Sequence, residues 1–115
     1  MSNKLAIPKQ LTQTKTSGPV AEIIYTSPAQ GAGTIISAVT ISNDSSDERL
    51  FRVWIGNVAT VDDDGPVMPD TSVKPKRADN GAELIGQIIP AGHSLWVEDP
   101  FNVLLFTISG RELIP

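Results

Sequence analysis

The chain reads as an all-β protein, an antiparallel β-sandwich or a jelly-roll-like fold with an extended amino-terminal arm. Three features predict this. Short runs rich in Val, Ile, Leu and Thr recur between residues 20 and 115, turn signals built from Gly, Pro, Asn and Asp separate them, and no stretch carries a convincing helical period. At 115 residues the chain fits a single domain. Aromatic residues make up only 5%, so aliphatic side chains carry the packing. A domain of this size buries roughly 65% of its unfolded surface, and a partner surface would supplement so thin a core.

Residues 1–19 are polar, hold Pro8, Gly18 and Pro19, and show little periodicity, so they are read as an arm outside the domain formed by residues 20–115. Val20 to Thr26 is rich in strand formers and stops at Ser27-Pro28. The Gly31 and Gly33 pair that follows suits a turn, because glycine tolerates positive φ. Thr34 to Ser42 is the clearest strand. Strict alternation places Ile35, Ser37, Val39 and Ile41 on one face and Ile36, Ala38 and Thr40 on the other, and two fairly apolar faces predict cover on both sides. Asn43 to Glu48 is an exposed turn. Leu50 to Ile55 then alternates, with Phe51, Val53 and Ile55 inward and Arg52 and Trp54 outward.

Residues 56–82 are the least strand-like part of the domain, with Asp62, Asp63 and Asp64 before Gly65-Pro66, then Pro69 and Pro75. Proline lacks the ladder donor, and a loop this long in a small domain is usually functional or mobile. Strands resume at Glu83 to Ile89, turn at Pro90-Ala91-Gly92-His93, continue through Ser94 to Glu98, break at Asp99-Pro100, and end in the apolar run from Asn102 to Ser109, extended past Gly110 to Ile114.

Net charge is −4, and the basic residues are scattered. Their densest run, Lys74, Lys76 and Arg77 around Pro75, sits among acidic stretches and reads as a solvated loop. Nucleic-acid binding through released counterions is disfavoured. There is no cysteine, which excludes disulfides and thiolate metal sites. No segment approaches the ~18–20 consecutive apolar residues of a membrane helix, and the amino terminus has no signal-peptide pattern, so the expectation is a soluble protein made without secretion and able to fold in a reducing cytoplasm.

Catalysis needs a titratable group beside a partner. His93, the only histidine, follows Pro90-Ala91-Gly92 and reads as a turn residue. Asp62, Asp63 and Asp64 are contiguous, whereas a calcium loop spaces its acids at alternate positions and closes with Glu. No metal, cofactor or catalytic residue is therefore assigned, and the chain is read as a non-enzyme. The candidate partner contacts are outward Trp54 and Trp96, Asp62, Asp63 and Asp64, and Lys74, Lys76 and Arg77. A carbohydrate- or host-receptor-binding module using the 56–82 loop and a tryptophan platform is one reading these residues allow.

The order of several segments carries another. Ile24-Tyr25-Thr26-Ser27-Pro28, a Gly-containing turn, Ile35 to Asn43 ending in Ser42-Asn43, Phe51-Arg52-Val53-Trp54-Ile55, then Ile89-Pro90-Ala91-Gly92-His93-Ser94-Leu95 and Phe106-Thr107-Ile108-Ser109-Gly110-Arg111-Glu112 together resemble a family of small tailed-phage virion structural proteins. The resemblance covers residues 23–56 and 83–114 and departs from the family at the arm and at 56–82. It implies a β-sandwich of the capsid-decoration or fibre-base type, located in the virion. Its partners would be further copies of itself, as a homo-oligomer such as a trimer, and other virion proteins such as the major capsid or a fibre protein. The place in the particle, whether capsid, neck, tail or fibre, stays open.

Overall fold

In a computed structural model of the chain, residues 6–57 and 67–114 are described, with side chains from residue 9 onward at the amino-terminal end. The described elements are all strands: β1 (Ala6–Thr14), β2 (Glu22–Thr26), β3 (Thr34–Asn43), β4 (Arg49–Gly56), β5 (Met68–Val73), β6 (Arg77–Asp79), β7 (Ile88–Ile89), β8 (Ser94–Glu98) and β9 (Leu104–Leu113). They form two antiparallel sheets. One runs β1-β9-β3-β6, with β7 also paired to β3, and the other runs β2-β8-β4-β5. The fold is an antiparallel β-sandwich.

Its topology follows from one pattern. The first strand pairs with the last, β2 with β8, β3 with the β6 and β7 pair, and β4 with β5. The chain is thus a long ribbon doubled back on itself, and rolling that ribbon brings β9 beside β3 and β8 beside β4. That is the jelly-roll arrangement.

The core lies between the sheets. Ile36, Val39 and Ile41 of β3, Phe51 and Val53 of β4, Leu95 and Val97 of β8, and Leu104, Phe106 and Ile108 of β9 are buried together with Met68, Val73, Leu84 and Ile89. Phe51 and Phe106 meet edge-to-face with ring centroids 5.9 Å apart, the geometry favoured by the ring quadrupole.

The path of the backbone differs from the sequence reading in four places, each for a physical reason. Residues 6–14 of the expected arm are a strand, β1, because β9 offers it an unpaired ladder edge. Within the expected loop at 56–82, Met68–Val73 and Arg77–Asp79 are strands; Pro69 is accommodated because β5 is an edge strand with no neighbour on its outer side among the described residues. Third, strict alternation in β3 fails. A register shift between Ile36 and Ala38 inserts a bulge at Ser37, so Ile36, Val39 and Ile41 all face the core while Ala38 and Thr40 are exposed. That strand has one buried face. Fourth, only Ile88–Ile89 of the run from Glu83 to Ile89 is strand. Residues 82–86 form successive turns, with Leu84 N–H donating to Gly81 O at 2.8 Å, Gln87 N–H to Leu84 O at 3.0 Å and Gly86 at φ +89°. Leu84 plugs the core with no exposed surface.

Gly110 sits opposite Ile36 at the bulge, and a Cβ there would run into the Ile35 carbonyl with Leu11 Cδ1 at 3.0 Å. Backbone cannot yield as a side-chain tip can. Gly110→Ala should therefore cost about 2–3 kcal/mol or more of unfolding free energy, measured by urea denaturation; a loss under about 0.5 kcal/mol would show that β3 and β9 are free to separate there.

Candidate functional site

The residues that do the most specific work in the described structure are polar, and they fasten the two sheets at one end. Tyr25, on β2 of one sheet, donates its hydroxyl to Glu112 Oε2 on β9 of the other, at 2.5 Å. With that proton committed, Thr34 Oγ1 at 2.9 Å donates to the Tyr25 oxygen, and Ser27 Oγ at 2.8 Å donates to Thr34. Ser27 and Thr34 are fully buried, where an unmade hydrogen bond is expensive. Lys9 of β1 closes the chain with an ion pair to Glu112 at 3.1 Å. Strands β1, β9, β3 and β2 are thereby tied at one point.

The electrostatics agree with the geometry. Burial, reinforced by the hydrogen bond to Glu112, pushes the Tyr25 hydroxyl up from 10.0 to about 12. The same bond holds the Glu112 carboxyl below its usual range, against a smaller opposing push from burial and with help from Lys9.

Two further polar knots hold the opposite end. Asn43 is 1% exposed; its amide donates to the Asp47 and Val73 carbonyls at 2.8 and 2.9 Å, and its oxygen accepts from Ser45 N–H and Oγ. It thus ties the β3–β4 turn to the end of β5, across the sandwich. Asp99, also fully buried, accepts from the backbone N–H of Val103 and Leu104 at 3.0 and 2.9 Å and so shapes the turn from β8 to β9. Thr16 Oγ1 packs on this turn, 2.6 Å from Asn102 Oδ1 and 3.2 Å from the Asp99 carbonyl.

The expected contact residues fall into separate places. Trp54 and Trp96 are register partners on the outer face of the second sheet, and Ile23 continues the row on β2. Trp54 is 2% exposed within the chain itself, so it offers no open surface as the sequence reading supposes. Its Nε1 is buried without a hydrogen-bond partner. Trp96 is half-buried and donates to Gly56 O at 3.2 Å, while Ile23 is 49% exposed. Beside this row Arg52 Nε pairs with Asp70 at 2.8 Å and Glu98 at 3.3 Å; at the far end of β4 the Arg49 guanidinium lies 4.0 Å over the exposed Phe101 ring.

Lys74, Lys76 and Arg77 are exposed at the β5–β6 turn. Since Arg49 pairs with Val73, that turn lies five residues along β4 from Trp54, roughly 17 Å at ~3.4 Å per residue, and the tryptophans and the basic run form no common site. Lys76 Nζ donates to the Asp44 carbonyl at 2.6 Å, which ties the turn to its neighbour. Asp62, Asp63 and Asp64 lie outside the described residues. His93 is in the turn before β8, its carbonyl accepting from Ser27 N–H at 2.9 Å. Among the described residues no group of three His, Asp or Glu could hold a metal ion, and no helix is long and apolar enough to cross a membrane.

No protein-family model matches the chain, and no curated protein matches it. Among solved structures, the cyanophage Pam1 capsid asymmetric unit aligns over 100% of this chain and 90% of that chain, at 10% identity and a TM-score of 0.42. A likeness at that level says nothing of what this chain does.

The fastening makes a pH-dependent contribution whose sign is fixed by its shifts. Glu112 titrates lower folded than its ordinary 4.5, so its contribution is present above that value and lost as pH falls through the folded one. Tyr25 titrates higher folded than its ordinary 10.0, so its contribution is full below pH 10.0 and lost as pH rises through about 12. Tyr25→Phe should cost about 2 kcal/mol at pH 7, as expected for a hydrogen bond to a charged group, and the gap to the parent should shrink below pH 4.5. Urea denaturation across pH reads this out; a gap that does not change with pH would mean the bond to Glu112 is not what Tyr25 contributes.

Proposed function

We propose that this chain is a non-enzymatic structural subunit of a phage particle, acting through self-association and through contacts to other virion proteins. The observation that carries the reading is where the resembling segments fall. Tyr25 and Ser27 come from the first segment, Asn43 from the end of the second and Glu112 from the last. These are the residues that fasten the two sheets to each other, through Thr34 at one end and through the β5 terminus at the other. The likeness to small phage virion proteins rests on the order of these strand-and-turn segments, and several of the residues that decide how this sandwich closes lie within them.

The jelly-roll topology alone does not choose a role, since capsid and lectin domains both use it. Trp96 with Ile23 on the outer face, and Lys74, Lys76 and Arg77 at the β5–β6 turn, are the surfaces this reading offers to neighbouring subunits. The assembly is a closed homo-oligomer, and three copies is the stoichiometry the resemblance implies.

Light scattering on the purified full chain over a concentration series tests the reading. A mass that is a fixed multiple of one chain, three in the finest form, is expected. A one-chain mass at every concentration would overturn self-association, and specific retention on immobilised glycans would put carbohydrate binding in its place.

A further inference from the structure

We infer that β1 is an exchangeable strand, and that in the assembled protein each copy's β1 pairs with β9 of a neighbouring copy. The inference rests on the self-association proposed above and specifies its mechanism.

Four observations lead to it. First, β9 must be covered. It is a ten-residue strand, paired with β3 on one side, and without β1 its other side would present a long row of unpaired backbone donors and acceptors, a template for any passing strand. Second, the cover is a terminal segment that contributes little to the core. Of the described β1 side chains only Leu11 packs against the core, and only partly buried. What holds β1 is its ladder to β9, with peripheral help from Lys9 to Glu112 and Gln13 Nε2 to Thr107 Oγ1 at 3.3 Å. All of these bonds form equally well with the β9 of a second copy.

Third, β1 makes a poor template for a further strand: Pro8 has no backbone N–H to offer, and its ladder shifts register between Gln10 and Thr12. Whichever copy supplies it, β1 terminates the sheet. Assembly by stacking another strand outside β1 is disfavoured, whereas assembly by trading β1 keeps every edge guarded.

Fourth, the connection from β1 to β2 has the makings of a hinge. Pro19 fixes its own φ and drives Gly18 toward an extended conformation. The folded-back path through residues 17–20 is instead held by one side chain: Glu22 Oε2 accepts from Ser17 N–H at 2.8 Å and Gly18 N–H at 2.6 Å, and Oε1 from Ser17 Oγ at 3.2 Å. Opening this clip lets the segment through Thr16 reach outward, and Thr16 then finds its neighbour's Asp99 carbonyl and Asn102 in place of its own. In a closed oligomer, where neighbours sit at effective concentrations on the order of millimolar, the exchange gives up only the clip. This is the low-cost route by which identical elements swap between subunits.

The test uses the full chain with Gln13→Cys and Thr107→Cys together. These positions are register partners, and the chain has no other cysteine. The oligomer is assembled, oxidised or treated with a short bismaleimide, and run on a denaturing gel without reductant, alongside each single-cysteine variant as a control. Exchange predicts that most of the double variant shifts from the one-chain band to two or more linked chains, while neither single variant does. An oligomer by light scattering whose double variant stays at one chain with its thiols consumed overturns exchange and leaves self-association standing. A one-chain mass before cross-linking overturns both.

Discussion

The pairing of β3 with β9 is the constraint on which the rest of the structure depends. It runs from Thr34 opposite Glu112 to Asn43 opposite Leu104, and it joins the third strand to the last. Both strands lie inside their sheet, so each must satisfy two neighbours at once. The bulge at Ser37 sets the phase of the pairing. It turns Ile36, Val39 and Ile41 to the core together, and it requires a residue without a side chain at position 110, where the Ile35 backbone comes close. A one-residue slip would send the β9 core residues Leu104, Phe106 and Ile108 to the solvent face. The hydrophobic pattern and the glycine thus specify the same register independently.

Apolar burial drives the sheets together, but polar side chains decide how they meet. The core makes the sandwich compact without saying much about which end closes on which. The Tyr25–Glu112 bond with its buried hydroxyl chain, the Asn43 clamp and the Asp99 turn each join segments far apart in sequence, and each would leave buried groups unpaired if the sheets were displaced. A small aliphatic core gains uniqueness from such knots.

Much of this was legible in the residues. The strands at 34–43, 49–56, 94–98 and 104–113 stand out because β-branched runs end at Gly, Pro and Asn signals, and the sandwich class follows from them. The parts that were not legible share a cause: their conformation is set by a distant neighbour. Nothing local in Ala6 to Thr14 announces a strand, because what makes it one is the open side of β9. Met68–Val73 looks like loop because proline counts against a strand until it is known to lie at an edge. Glu83 to Ile89 looks like strand because Leu84 and Ile85 match the composition, whereas Leu84 is needed as a plug and the chain turns to deliver it. Trp54 alternates outward as expected, yet outward did not mean exposed. The fastening residues were present in the resembling segments, as Tyr25, Ser27, Asn43 and Glu112, but a sequence does not say that a tyrosine near one end and a glutamate near the other will touch.

The doubled-back ribbon also has a temporal side. Among the described residues, β4 and β5 are the only paired strands that are neighbours along the chain; every other ladder closes a longer loop than the one inside it. Loop-closure entropy makes such non-local pairings slow to form. The ribbon therefore zips outward from its β4–β5 end, β3 joining β6 and β7 next and β2 joining β8 after them, and β1 is the last strand to find its place.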